Sequence, residues 1–96
     1  MGGNYQRAMV VKMKIAYILK QFTDNQEIID VDGTTVYECL TDLANKYPDM
    51  QKWLFNLHNS PLVWVLLNKE IVLPQNMDKL ITAEDKIVLI PMVAGG

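Results

Sequence analysis

Apolar and polar positions alternate from Val10 to Leu19, with Val11, Met13, Ile15, Tyr17 and Leu19 on one side and Lys12, Lys14, Ala16, Ile18 and Lys20 on the other. A period of two is that of a half-buried strand, so the pattern predicts a long first strand with one covered face. The Thr23-Asp24-Asn25 cluster is turn chemistry, because short polar side chains bond nearby backbone and tolerate left-handed geometry. Alternation resumes at Glu27-Ile28-Ile29-Asp30-Val31, and two strands so close predict an antiparallel hairpin. Beyond Asp32-Gly33 the period changes. Thr35-Val36-Tyr37-Glu38 has the Thr-x-x-Glu form in which hydroxyl and carboxylate satisfy free N–H groups at a helix start. Val36, Leu40, Leu43, Ala44 and Tyr47 then lie on one stripe of a helix that ends before Pro48. Met50, Trp53, Leu54 and Leu57 predict one or two further helical turns.

Leu62 to Leu67 is the longest apolar run, six residues, and reads as a buried strand. Asn68-Lys69 is a tight turn into Ile71-Val72-Leu73, although left-handed turn geometry is better served by Asn-Gly. Thr82-Ala83-Glu84-Asp85 is a further polar turn, and Ile87-Val88-Leu89-Ile90, ended by Pro91, reads as a central strand. The order strand, strand, helix, strand, strand, strand predicts an α+β fold: a mixed sheet covered on one face by one main helix, the β-grasp or ubiquitin-like arrangement. Such a sheet leaves its second face partly open. Ala16, Ile18, Trp64, Leu66, Val88 and Ile90 fall on that face in this register, and a one-residue slip would exchange the faces. They form either a partner surface or, in part, core beside Trp53 and Leu54.

Ninety-six residues, half of them apolar and 21% charged, suffice for one core and no second. The expected organisation is a loose leader or cloning remnant at 1–8, a folded domain at 9–91 and a flexible tail at 92–96. A formal charge of -2 without a basic stripe argues against nucleic acid. No apolar run approaches the roughly 20 residues of a membrane-spanning helix, and no secretory signal is evident, so a reducing cytoplasm is expected. Single residues of Cys (Cys39) and His (His58) leave no soft ligand set for a metal. Cys39 reads as packing, His58 as a loop residue, and Asp24, Glu27, Asp30 and Asp32 as a solvated charged face. No phosphate-cradling Gly-rich loop or dinucleotide fingerprint is present, so no bound cofactor is expected.

The chain closes on Met92-Val93-Ala94-Gly95-Gly96. Two glycines without Cβ atoms make a thin, permissive end that can thread a narrow channel and present a carboxylate to another protein's active site. An ordinary flexible end is the plainer reading, and Gly2-Gly3 at the other terminus favours it. The β-grasp element order and the preceding Pro-x-Val-Ala favour a working tail.

Thr35 to Leu40, Lys46-Tyr47-Pro48, Val65 to Asn68 and above all Ile87 to Gly96 resemble the MoaD/ThiS sulfur carriers, most nearly the small subunit of molybdopterin synthase. That resemblance implies a carrier that catalyses nothing itself. The Gly96 carboxylate would be adenylated with ATP by an E1-like adenylyltransferase and converted to a thiocarboxylate. Met92, Val93, Ala94 and Gly95 would thread the tail into the large catalytic subunit of molybdopterin synthase, or into another sulfur acceptor. Ile18, Trp64, Leu66, Val88 and Ile90 would form the partner surface. The alternatives are a ubiquitin-like modifier conjugated through Gly96 to lysines, or a sulfur carrier for thiamine or tRNA thiolation. The thiamine carriers resemble shorter chains without the Asp49–Leu57 stretch. Glu84-Asp85 and Asn68-Lys69 depart from the family's usual Gly-containing turns.

Overall fold

The computed structural model describes residues 10–55 and 62–92. The expected leader, Leu57, His58 and the tail residues Val93, Ala94, Gly95 and Gly96 lie outside the described residues. Strands β1 (Val10–Ile15), β2 (Ile28–Asp32), β3 (Val63–Leu67), β4 (Glu70–Ile71) and β5 (Lys86–Pro91) form one sheet in the order β2-β1-β5-β3-β4. β5 is therefore central, as its unbroken apolar run predicts; it runs parallel to β1 and antiparallel to β3. The helix α1 (Val36–Lys46) buries Val36, Cys39, Leu40, Leu43 and Ala44. Val36, Cys39, Leu40 and Leu43 pack with Val11, Met13, Ile15, Val31, Val65, Ile87 and Leu89 in a single core. Pro48 ends α1 as expected, and the chain continues through a 3-10 turn, Pro48–Met50, into the short helix α2 (Gln51–Leu54).

The start of α1 is closed by its own surroundings. The Thr35 hydroxyl accepts from the Glu38 N–H at 3.1 Å, while the Glu38 carboxylate reaches past Thr35 to the Thr34 N–H at 2.8 Å. The Val36 and Tyr37 N–H groups donate to the Lys79 and Met77 carbonyls. A helix start normally leaves its first N–H groups free; here the 77–80 segment takes two of them and the capping side chain a third. Glu38 is held below the ordinary carboxylate pKa chiefly by the hydrogen bond from the Thr34 N–H.

Two strands differ from the expectation: β4 ends at Ile71, so Val72 and Leu73 of the expected Ile71-Val72-Leu73 strand lie beyond it, and β1 is also shorter. β1 stops at Ile15, and Tyr17–Phe22 forms a 3-10 turn. The alternation over 15–19 has a second solution, because Ala16, Leu19 and Phe22 are spaced by three, the 3-10 period. Leu19 enters the core from that turn and Phe22 packs against it, whereas Tyr17, expected on the covered face, is 73% exposed. The Ala16 N–H makes the last bond to β5, at Leu89 O, and Tyr17 then takes a left-handed φ of 53°. Thr23-Asp24-Asn25 does turn the chain, with Asp24 and Asn25 at φ 55° and 61°, but it closes this longer connection and not a tight hairpin. β2 nevertheless pairs antiparallel with β1.

Candidate docking face and tail root

The register fixes which side chains share the open face. Val63, Val65 and Leu67 of β3 are buried beneath α1, so Trp64 and Leu66 point the other way. Their cross-strand partners on β5 are Ile90 and Val88, and Ile71 of β4 lies opposite Leu66. Trp64 is 41% exposed and Ile71 is exposed, while Leu66, Val88 and Ile90 are half-buried between them. Facing strand residues lie close enough for direct contact, so these five make one apolar strip. The register read from the sequence holds over β3 and β5, with no one-residue slip to exchange the faces.

The same face is mostly charged over β1 and β2, with Val10 and Ile28 exposed among the charges. Lys12 pairs with Asp30 at 3.0 Å and Lys14 with Glu27 at 3.7 Å, both exposed. Exposed pairs of this kind add little stability, but they leave the apolar strip bounded by a polar border. Ile18, expected beside that strip as a strand residue, stands instead in the 3-10 turn, half exposed.

The tail root lies at one end of this face. Met92 N–H donates to Leu62 O at 2.9 Å, the last described ladder bond of β5. Pro91 fits where it is because Leu89 gives its carbonyl to Ala16 on the β1 side. Pro91 therefore turns its nitrogen to that side, where β1 has already left the sheet and no ladder bond is lost. The exposed Leu62, Tyr17 and Ile18 belong to the segments that border this end. Thus Met92 sits where the sheet delivers the chain, while Gly95 and Gly96 themselves fall outside the described residues.

The two turns that depart from the family's usual glycines are joined by side chains. Asn68 and Lys69 adopt φ of 52° and 76°, so the turn has the left-handed geometry that favours Asn-Gly. Asn68 Nδ2 donates to Asp85 Oδ1 at 2.9 Å and its Oδ1 accepts from the Lys86 N–H at 3.0 Å. Asp85 Oδ2 also accepts from the Thr82 N–H at 2.8 Å. The Asn68 bond, then the Thr82 bond, holds Asp85 below the ordinary carboxylate pKa. This clasp was not legible in the sequence, since Asn68 and Asp85 lie far apart in the chain.

No constellation for catalysis appears among the described residues. Among those residues, groups of His, Cys, Asp and Glu able to hold a metal are absent, and no helix is long and apolar enough to cross a membrane. Cys39 is buried, and burial together with Asp42 and Glu38 pushes its thiol up to about 11. It is therefore protonated at neutral pH and acts as packing.

The ThiS family model matches residues 13–96, and the chain belongs to the ThiS family of small ubiquitin-like carrier proteins. No curated protein matches the sequence. Among solved structures, the small archaeal modifier protein 1 of Methanosarcina acetivorans aligns with a TM-score of 0.79 and 21% identity over 95% of this chain and all of that one. CysO in the Amycolatopsis orientalis BexX/CysO complex gives 0.77 and 24%, covering 90% of this chain and 99% of that one. A chain of the complex of subunits 1 and 2 of the Helicobacter pylori molybdopterin-converting factor gives 0.62 and 20%, covering 92% and 100%. These likenesses establish the β-grasp fold.

Proposed function

We propose that the protein is a sulfur carrier whose Gly96 carboxylate is activated by a partner enzyme and then carries sulfur as a thiocarboxylate. The observation that carries this reading is that the family match runs through Gly96, so the Met92–Gly96 tail lies inside the pattern that defines the family. In the activation step the carboxylate oxygen attacks the α-phosphorus of ATP, releasing pyrophosphate. A sulfur nucleophile then displaces AMP from the acyl adenylate. The chain supplies the nucleophile and the partner supplies the site. With an ordinary pKa of roughly 3.3–3.7, a terminal carboxylate is ionised and ready to attack at neutral pH.

The strip of Trp64, Leu66, Val88, Ile90 and Ile71 is the docking surface in this reading, and the tail leaves from its end. The acceptor we propose is the large subunit of a molybdopterin synthase, a reading supported by the likeness to the Helicobacter pylori complex. A second reading, conjugation of Gly96 to lysine amines, is favoured by the likeness to the archaeal modifier. Incubation with host extract, ATP and a sulfur donor separates them. Sulfur found on Gly96 and delivered to a pterin supports the first; Gly96 amide adducts support the second.

A further inference from the structure

β2 is an edge strand, and its outward backbone is covered in an unusual way. The Ile15 N–H donates to Glu27 O, which fixes the bonding parity of the β1–β2 ladder. Odd residues of β2 face β1, so the N–H and C=O groups of Ile28, Asp30 and Asp32 face away from the sheet. Two of these groups are bound by side chains of α1. Asp42 Oδ2 accepts from the Asp32 N–H at 2.9 Å, and the Lys46 ammonium donates to Asp30 O at 2.8 Å. The two side chains also pair with each other at 2.9 Å, one helical turn apart. A donor meeting Asp30 O and an acceptor meeting the Asp32 N–H are what an added strand would bring to this edge.

We infer that Asp42 and Lys46 form a latch that stands in for a neighbouring strand and keeps β2 from pairing with the β2 of a second copy. An uncovered edge invites such pairing, and two identical edges can meet antiparallel about a two-fold axis. The opposite edge needs no latch of this length, because β4 is only two residues long. Asp30 and Asp32 add a second deterrent, since they would face like charges across a β2–β2 pair. Lys12 already compensates Asp30 in part. The latch is held by a surface ion pair and two hydrogen bonds, and its removal leaves the buried stripe of α1 in place.

The test is Asp42→Ala/Lys46→Ala, compared with the unchanged protein by sedimentation velocity over a hundredfold concentration range. About 0.5 M salt screens the aspartates over distances beyond a few Å. The unchanged protein is expected to remain monomeric, and the double variant to dimerise with rising concentration. Ile28→Pro added to the double variant removes an outward N–H at the first residue of the strand, where proline is tolerated, and is expected to restore the monomer. A folded double variant that stays monomeric, or one that dimerises equally with Ile28→Pro, overturns the inference. Should the double variant lose cooperative unfolding, Lys46→Met keeps the stem, removes only the donor, and carries the same comparison.

Discussion

Replacing either residue of the β3–β4 turn with glycine should move stability in opposite directions. Both Asn68 and Lys69 hold left-handed backbone, at φ 52° and 76°. Among the described residues the Lys69 side chain makes no hydrogen bond, so Lys69→Gly acts through the backbone. Left-handed geometry costs an L residue about 1–2 kcal/mol, and fixing a glycine costs about 0.5–1 kcal/mol, leaving a net gain of about 0.5–1 kcal/mol. For a domain of this size that corresponds to a rise of about 2–8 °C in Tm. Asn68→Gly relieves less backbone cost, because asparagine tolerates left-handed geometry, and it removes the bonds to Asp85 at 2.9 Å and to the Lys86 N–H at 3.0 Å. Hydrogen bonds contribute about 0.5–1.5 kcal/mol each, somewhat more to a charged acceptor, and exposure discounts the Asp85 contact. The net change is a loss of about 1 kcal/mol. Urea denaturation reads both values as shifts of the midpoint at constant slope. Two glycine variants that shift the same way would refute the assignment of separate roles to neighbouring residues.

Other consequences can be checked by simpler means. A Cβ at Gly33 would meet Glu38 Cβ at 2.8 Å and the Cys39 nitrogen at 2.9 Å, so Gly33→Ala should destabilise by about 1–3 kcal/mol in the same urea assay. Glu38 and Asp85 have lowered pKa values, so their contributions are complete above the ordinary 4.5 and 3.8 and vanish as pH falls below them. Lys46 is raised, chiefly by its hydrogen bond to Asp42, so its contribution is complete below 10.5 and vanishes as pH rises past it. Thermal melts across pH should fall on both flanks, and Asp85→Asn should flatten the acid one. Trp64→Asp should keep cooperative unfolding yet slow partner-dependent activation by about thirtyfold, as loss of a buried aromatic anchor does; an unchanged rate would remove the strip from the docking surface. Cys39 should resist alkylation at neutral pH while the protein is folded.

How much of this was legible before any coordinates depended on whether a pattern had one physical solution. The stripe from Val36 to Ala44 fits only a helix against a core, and Thr35 and Glu38 marked its start to the residue. Ile87 to Ile90 admitted only a strand buried in mid-sheet. Trp64, Leu66, Val88 and Ile90 share the open face because strict alternation along β3 and β5 sets a single register there. The stretch from Ile15 to Leu19 satisfied both a two-residue and a three-residue period, and the second won because it buries Leu19 and brings Phe22 against the core. Ile18 follows it into the 3-10 turn, away from the strand position that alternation predicts. The Asn68–Asp85 clasp and the Asp42–Lys46 latch join residues whose proximity is created by the fold, so no local signal announced them.

The central claim is that Gly96 carries sulfur, and mass spectrometry of the C-terminal peptide tests it most directly. The protein is incubated with its host's soluble extract, ATP and a sulfur donor, then fragmented. Fragmentation is needed because oxidation of any of the six methionines nearly matches the mass change when sulfur replaces a carboxylate oxygen. The account predicts an ATP-dependent replacement of one oxygen by sulfur located on Gly96. A Gly96 left unchanged beside an active control carrier would contradict it.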